Sequence, residues 1–197
     1  MRNTIRMAAT VATIGLVGCG NMDDVESEDV EEVTSALTFA GCIDKIEQKA
    51  VANAGTVGTR VGSYQDLGTG SKADYTLNAS IFCKYSSGAT QIVMGLIRAK
   101  YLAKGAQNFI GYPTTDELPT QFNDGRFNLF DTGLVLWKSG ANQAFEVHGS
   151  NLSKFGALGN EWGMLGYATA EAIESSAGKN AVAPFSTSAG SNYVGNL

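Results

Sequence analysis

Histidine is scarce in this sequence, since His148 is the single example among 197 residues. Zinc sites use about three or four closely spaced His, Cys or carboxylate ligands, and the sequence contains no such cluster. A Ser-His-Asp or Cys-His enzyme would have to use His148, for which a structural role at the edge of a strand is the preferred interpretation. No glycine-rich phosphate loop followed by Lys-Ser or Lys-Thr is present. We therefore expect no catalytic site, no metal and no other cofactor.

Positive charge is not in excess either, because the chain holds 14 basic and 19 acidic residues. Seven of the acidic residues lie in the segment Gly20–Ser35, which has no basic residue. Two of the basic residues, Arg2 and Arg6, lie at the N-terminus, so residues 36–197 carry 12 charges of each sign. A neutral body argues against a nucleic-acid partner. The acidic stretch, within residues 19–35, is typical of a solvated tether.

The apolar run Met7–Val17 is too short to span a bilayer, which takes roughly 20 residues. Two arginines precede it and small residues end it, a pattern typical of a secretory signal over residues 1–18. The ending Leu16-Val17-Gly18-Cys19 resembles the lipobox of bacterial lipoproteins, which implies cleavage before Cys19 and diacylation of its thiol. An ordinary signal peptide with a chance cysteine is the alternative. Acyl chains would anchor the protein in the membrane, and Gly20-Asn21, which is not acidic, favours the outer membrane.

Once Cys19 is assigned to lipid, Cys42 and Cys83 remain as an even pair. In an oxidising compartment a disulfide between them is the default expectation. It would stabilise the folded state by about 2–4 kcal/mol. Two buried free thiols are the alternative.

The remaining chain shows internal similarity. Gly41, Gly95 and Gly149 are separated by 54 residues each, and an apolar stretch precedes each of them. Farther along, Gly111–Glu117 corresponds to Gly166–Ala172. The spacing predicts three units at about 41–94, 95–148 and 149–197. In the first, more degenerate unit, the segment Val61–Tyr64 is taken to correspond to Gly111-Tyr112-Pro113.

The second unit carries a series of landmark residues: Ile97, Tyr101, Gly105, Gly111-Tyr112-Pro113-Thr114-Thr115-Asp116-Glu117, Asp124-Gly125-Arg126-Phe127, Phe130, Gly133, Trp137 and Val147-His148-Gly149. This series resembles the LGFP repeat. The resemblance is specific over 97–149, good as far as Ala172 and weak before Gly95. LGFP repeats occur in exported bacterial proteins, often beside mycolyltransferase or peptidoglycan-amidase domains, which implies envelope attachment or glycan binding. We expect no catalytic domain beside the repeats here.

Each unit is predicted to contain a short helix, a loop and two or three antiparallel strands. Ile97, Tyr101 and Leu102 share one helical face, and Gly105 suits the end of that helix. Asp124-Gly125 indicates a hairpin, with strands at 126–130, 134–137 and 144–148. One unit cannot bury its apolar face alone, so neighbouring units must pack together. The expected fold is one compact α+β repeat domain over residues 36–197.

Aromatic residues at the repeat landmarks are the candidates for ligand binding. Exposed aromatic faces beside carboxylates commonly bind carbohydrate, whereas rings that fill the seams between units have only a structural role. Trp162, in the loop Asn160–Gly163, is the strongest candidate for exposure. The full candidate set is Trp162, Tyr112, Tyr167, Trp137 and Asp116.

Asp116 and Glu117 are adjacent, and adjacent side chains point apart on an extended backbone. They are therefore not expected to act as an acid/base pair. Instead we expect Asp116 or Thr115 to cap a turn and Glu117 to pair with a neighbouring unit.

Two functions fit these patterns. The first is a lipid-anchored envelope protein without catalytic activity, whose repeats bind cell-wall glycan or another wall polymer. The second is a structural or protein-interaction surface lipoprotein that does not bind glycan. Exposed aromatics beside a groove would favour the first function, and a flat, polar surface with one apolar patch would favour the second.

Overall fold

The computed structural model describes residues 37–171, 182–186 and 192–196. The predicted signal peptide, Cys19 and the acidic tether lie outside the described residues. The residues that the structure does describe belong to one compact unit, Ser35–Leu197. Among them, no helix has the length and apolar character needed to cross a membrane.

The first part of the domain is a pair of helices followed by a four-stranded antiparallel sheet. Thr38 begins the first helix, because its side chain accepts a hydrogen bond from the N–H of Gly41. The strands lie side by side in chain order. The elements are α1 (Phe39–Ala52), α2 (Ala54–Val57), β1 (Arg60–Asp66), β2 (Gly70–Tyr75), β3 (Ala79–Lys84) and β4 (Thr90–Met94).

The second part has the same order of elements. Its four strands also form an antiparallel sheet in chain order. The elements are α3 (Gly95–Ala103), α4 (Gln107–Ile110), β5 (Leu118–Pro119), β6 (Gly125–Leu129), β7 (Gly133–Lys138) and β8 (Phe145–His148). After it come α5 (Ser150–Ala157), a 3₁₀ helix (Asn160–Trp162) and the antiparallel pair β9 (Val182–Ser186) and β10 (Asn192–Asn196).

These elements confirm an α+β fold and correct two expectations. The sheet of the first part and the sheet of the second part each have four strands rather than two or three. The correspondence drawn between Val61–Tyr64 and the Gly-Tyr-Pro segment is wrong, because Val61–Tyr64 lies within β1. Gly58 occupies the position in the first part that Gly111 occupies in the second. Each directly follows a short helix, with φ of +80° at Gly58 and +81° at Gly111.

The predicted disulfide between Cys42 and Cys83 is present, with the two Cα atoms 5.6 Å apart. It joins α1 to β3, and both cysteines are fully buried. Ile46, one turn farther along α1, packs into the same cluster of buried side chains. The first helix is therefore held on its sheet by both a covalent link and apolar burial.

The predicted buried face of α3 is confirmed by Ile97 and Tyr101, which are buried. The Tyr101 ring lies between Phe82 of β3 and Phe130, with centroid distances of 5.3 and 4.3 Å. Its hydroxyl donates to the Gly111 carbonyl at 2.6 Å. Because Phe82 belongs to the first sheet, the two parts of the domain share one apolar core here.

Candidate functional site

Trp162 lies at a groove between the second sheet and the segment that follows it. The groove has a volume of about 430 Å³. Its floor consists of side chains from β6 and β7 together with Phe155 of α5: Phe127, Leu129, Leu134, Leu136 and Phe155. Side chains at alternate positions of a strand point to the same face, which brings these residues of β6 and β7 together.

Polar groups stand at the rim of this groove beside Trp162. Gln121, Asn160 and Glu161 contribute amides and a carboxylate. The Glu161 carboxylate accepts a hydrogen bond from the backbone N–H of Gln121 at 3.1 Å. This contact links the loop before β6 to the 3₁₀ helix. It fixes one carboxylate oxygen next to the indole.

Trp162 is positioned by the two glycines that flank its helix. Gly159 has left-handed geometry, with φ of +94° and ψ of +21°, which a glycine adopts at little cost. A Cβ on Gly163 would overlap the carbonyl oxygen of Leu158. This tight turn leaves Trp162 with 52% of its surface exposed. The Trp162 side chain is therefore partly accessible to solvent.

Tyr112 and Tyr167 do not present ring faces, because they are 5% and 6% exposed. Each packs against a glycine at the start of a strand in the preceding sheet, Tyr112 against Gly70 and Tyr167 against Gly125. They fill the seams between successive parts of the domain, which was the structural alternative for these rings.

The Tyr167 hydroxyl also anchors the turn before β6. It lies 2.5 Å from Oδ1 of Asp124 and 3.0 Å from Oγ1 of Thr120. Its hydrogen bond lowers the pKa of Asp124. Burial and the same carboxylate raise the pKa of Tyr167. The hydroxyl that donates to the ionised carboxylate is the main cause of the shift at Asp124 and a secondary cause, after burial, of the shift at Tyr167.

Asp116 is a bridging residue in this structure. One oxygen lies 2.5 Å from Nζ of Lys49 on α1, and the other accepts the N–H of Ile92 in β4 at 2.8 Å. Glu117 approaches Arg126 of its own sheet at 4.0 Å. The expectation that Glu117 would pair with a neighbouring unit is wrong, because Asp116 makes that contact. Thr115 accepts the N–H of Leu129.

Trp137 is half-buried, and its indole N–H donates to the Ala141 carbonyl at 2.8 Å. Its ring lines a separate cavity of about 280 Å³ together with Glu117 and Arg126. It therefore lies near Glu117 rather than at the Trp162 groove.

His148 ends β8, and its ring meets that of Phe109 edge-on at 4.8 Å. Among the residues that the structure describes, no group of three His, Cys, Asp or Glu side chains could hold a metal ion.

The LGFP resemblance rests on the second half of the described domain. Residues 110–163 match the LGFP repeat family. The match begins at the last residue of α4 and runs through the second sheet and α5 to the residue after Trp162. It is displaced towards the C-terminus relative to the segment 97–149 identified from the landmark residues. LGFP repeats occur in exported cell-envelope proteins. No curated protein matches the chain.

Sequence reasoning missed Gln121, Pro119 and Phe155 as lining residues of the groove. Gln121 and Pro119 lie on either side of Thr120, in a segment without periodic apolar positions. Their approach to Trp162 depends on how the third part of the chain folds back on the second sheet. Phe155 does carry a signal, because it lies 54 residues after the buried Tyr101, which is the spacing of the internal similarity in the sequence.

Proposed function

We propose that this chain is an exported, lipid-anchored cell-envelope protein without catalytic activity that binds cell-wall glycan through the Trp162 groove. The observation that carries the proposal is an exposed indole at the rim of a groove that also holds a carboxylate and two side-chain amides. The flat face of an indole accepts the C–H face of a sugar ring, because its π-system is electron-rich. Glu161, Gln121 and Asn160 would bind the sugar hydroxyls.

The anchor in this proposal is the acylated thiol of Cys19, in the outer membrane, followed by the acidic tether. The LGFP match supports an envelope location, since these repeats occur in exported cell-envelope proteins. Anchoring to a membrane confines the groove to the layer next to the wall. Weak binding at one groove would then suffice, because the tether raises the effective concentration of polymer at the site.

We also propose that the domain is a tandem array of about 54-residue units. Two pairs of contacts that recur at identical separations support it. Lys49–Asp116 and Lys104–Glu171 are ion pairs between residues 67 apart, each 2.5 Å long. Lys49 lies near the end of α1 and Lys104 directly follows α3. Each carboxylate comes four residues after the tyrosine of the Gly-Tyr pair in the next unit. Tyr112 packs on Gly70, and Tyr167 packs on Gly125, so the same seam occurs twice.

The test is co-sedimentation of the full-length chain with isolated sacculi, and affinity electrophoresis with soluble wall polysaccharides. Trp162→Ala is expected to weaken binding about two- to twelvefold, because an aromatic contact contributes roughly 0.5–1.5 kcal/mol beyond its buried area. Trp162→Phe should retain part of the affinity. Leu77→Ala is the control, because Leu77 is 51% exposed between β2 and β3 and lines none of the groove.

Polymer binding that Trp162→Ala leaves unchanged would remove the groove from the proposal. Absence of binding by the wild-type chain to every envelope fraction would overturn glycan recognition altogether. Exposed apolar side chains near the groove, Phe122 and Met164, each 71% exposed, would then favour a protein partner. Cross-linking from position 162 in intact cells would identify that partner.

A further inference from the structure

A second cavity lies on the opposite face of β6 and β7 from the Trp162 groove. Arg126 and Trp137 line this cavity, whereas their strand neighbours Phe127 and Leu136 line the groove. Consecutive side chains of a strand point to opposite faces, so the two sites are separated by the sheet. They share no lining residue.

The walls of this cavity, of about 280 Å³, are mainly apolar. They are formed by Met94 at the end of β4, by Leu96 and Ile97 of α3, and by the Trp137 ring. Two charged side chains also reach the cavity, Glu117 and Arg126.

Glu117 is a carboxylate with little to neutralise it. Its side chain is 22% exposed, and the one ion pair that it makes with a described residue, to Arg126 Nε, is 4.0 Å long. The other ion pairs among the described residues are between 2.5 and 3.1 Å. No described residue donates a hydrogen bond to Glu117. Burial raises the pKa of Glu117, and the positive charge of Arg126 only partly opposes this. With 22% of its side chain exposed, Glu117 still meets solvent, so a ligand that displaces this water must supply a hydrogen-bond donor in its place.

Arg126 does not donate a hydrogen bond to Glu117, because its guanidinium is held by other partners. Nη1 of Arg126 donates to Oδ1 of Asn123 at 2.7 Å and to the Gly125 carbonyl at 2.8 Å. Asn123 lies in the turn before β6, and Gly125 is the first residue of that strand. A closer approach to Glu117 would break both hydrogen bonds. With 38% of its side chain exposed, Arg126 is also screened by solvent.

We propose that this cavity binds an aliphatic ammonium group, as carried by a lysine-type side chain, with its methylene stem against Leu96 and its nitrogen between Trp137 and Glu117. The apolar walls accept the stem and leave the charged head at the carboxylate. The indole face attracts a cation through its quadrupole. The ammonium supplies the donor that Glu117 lacks, in a charge-assisted hydrogen bond. This site is independent of glycan binding at Trp162.

The test compares two probes that differ only in the ammonium group. Nα-acetyl-lysine methylamide carries it, and Nα-acetyl-norleucine methylamide has the same four-carbon stem without it. Each is titrated into the full-length chain while the indole N–H signals are followed by NMR. The chain has two tryptophans, so Trp162→Phe assigns the signals. We expect the lysine probe to shift the Trp137 signal with at least about tenfold higher affinity than the norleucine probe.

Two variants with opposite expected effects keep the test decisive. Glu117→Gln should abolish the preference for the lysine probe. Arg126→Gln should increase affinity for it, because a competing cation is removed. Asp44→Asn, which removes an exposed carboxylate on α1, should change neither, and an unchanged Trp162 signal reports an intact fold. Equal affinity for both probes, or a Trp137 signal that neither probe moves, would overturn the proposal.

Discussion

The ring of Tyr112 lies against the backbone of Gly70, so close that a Cβ on Gly70 would overlap the ring carbons. The strand carrying Gly70 and the loop carrying Tyr112 come from successive parts of the domain. The glycine therefore serves packing rather than a turn: it admits an aromatic ring at the seam where the second part meets the first sheet.

Gly70→Ala is expected to lower the free energy of unfolding by about 1–3 kcal/mol, because the added methyl group would overlap both the Cys83 carbonyl oxygen and the Tyr112 ring. Urea denaturation followed by circular dichroism measures this. Gly55→Ala is the matched control, since Gly55 lies in α2 and a methyl group added there would have no neighbouring atom within 4 Å. That control should be neutral or slightly stabilising. Equal effects of both changes would contradict a packing role for Gly70.

Removal of the Cys42–Cys83 disulfide should destabilise the domain by about 4 kcal/mol, because the bond closes a loop of 41 residues in the unfolded chain. The measurement compares urea denaturation of the wild-type chain with that of Cys42→Ala/Cys83→Ala. Adding a reductant should lower the stability of the wild-type chain alone. A variant as stable as the oxidised chain would show that apolar packing around Ile46 is sufficient.

Acid should weaken the fold through Asp74, a carboxylate in β2. Burial raises its pKa, but hydrogen bonds from Ser80, Lys72 and Arg98 outweigh burial and hold the pKa below its ordinary value of 3.8. A carboxylate whose folded pKa is depressed stabilises the fold above the unfolded pKa, and loses that contribution as the pH falls through the folded pKa.

Unfolding free energy should therefore fall from pH 5 towards pH 2, and Asp74→Asn should flatten part of that dependence. Urea denaturation across this pH range measures both slopes. Asp44→Asn, which alters an exposed carboxylate, should leave the slope unchanged. A slope in Asp74→Asn identical to that of the wild-type chain would assign the acid sensitivity to other carboxylates, such as Glu171, whose pKa is lowered by Lys100 and Lys104.

Lipid attachment is predicted to depend on Cys19. Cells fed an alkyne-labelled fatty acid should incorporate the label into the wild-type chain, and detergent should be required to release that chain from membranes. Cys19→Ala should lose the label and shift to the soluble exported fraction. Label retained in Cys19→Ala would exclude the lipobox assignment.

Local patterns were sufficient for part of the fold. Ile97 and Tyr101 are four residues apart, so any helix there must place them on one face, and both are buried. Cys42 and Cys83 were the natural pair once Cys19 was set aside. By contrast, β1 is exposed along almost its whole length and β5 has two residues. Neither has the alternation that predicts a strand, so the four-stranded sheets were missed.

The sequence by itself determined the 54-residue spacing, the antiparallel α+β class and the likeness to LGFP repeats, because these depend on periodicity and on residues near one another in the chain. The tertiary structure determines whether each aromatic side chain is buried or exposed. Tyr112, Tyr167 and Trp162 all lie at or near the predicted repeat landmarks, yet packing between parts of the domain buries the first two. Trp162 lies in a tight turn between two glycines and remains 52% exposed. Burial depends on which surfaces of the fold pack together, and the local sequence pattern does not specify those contacts.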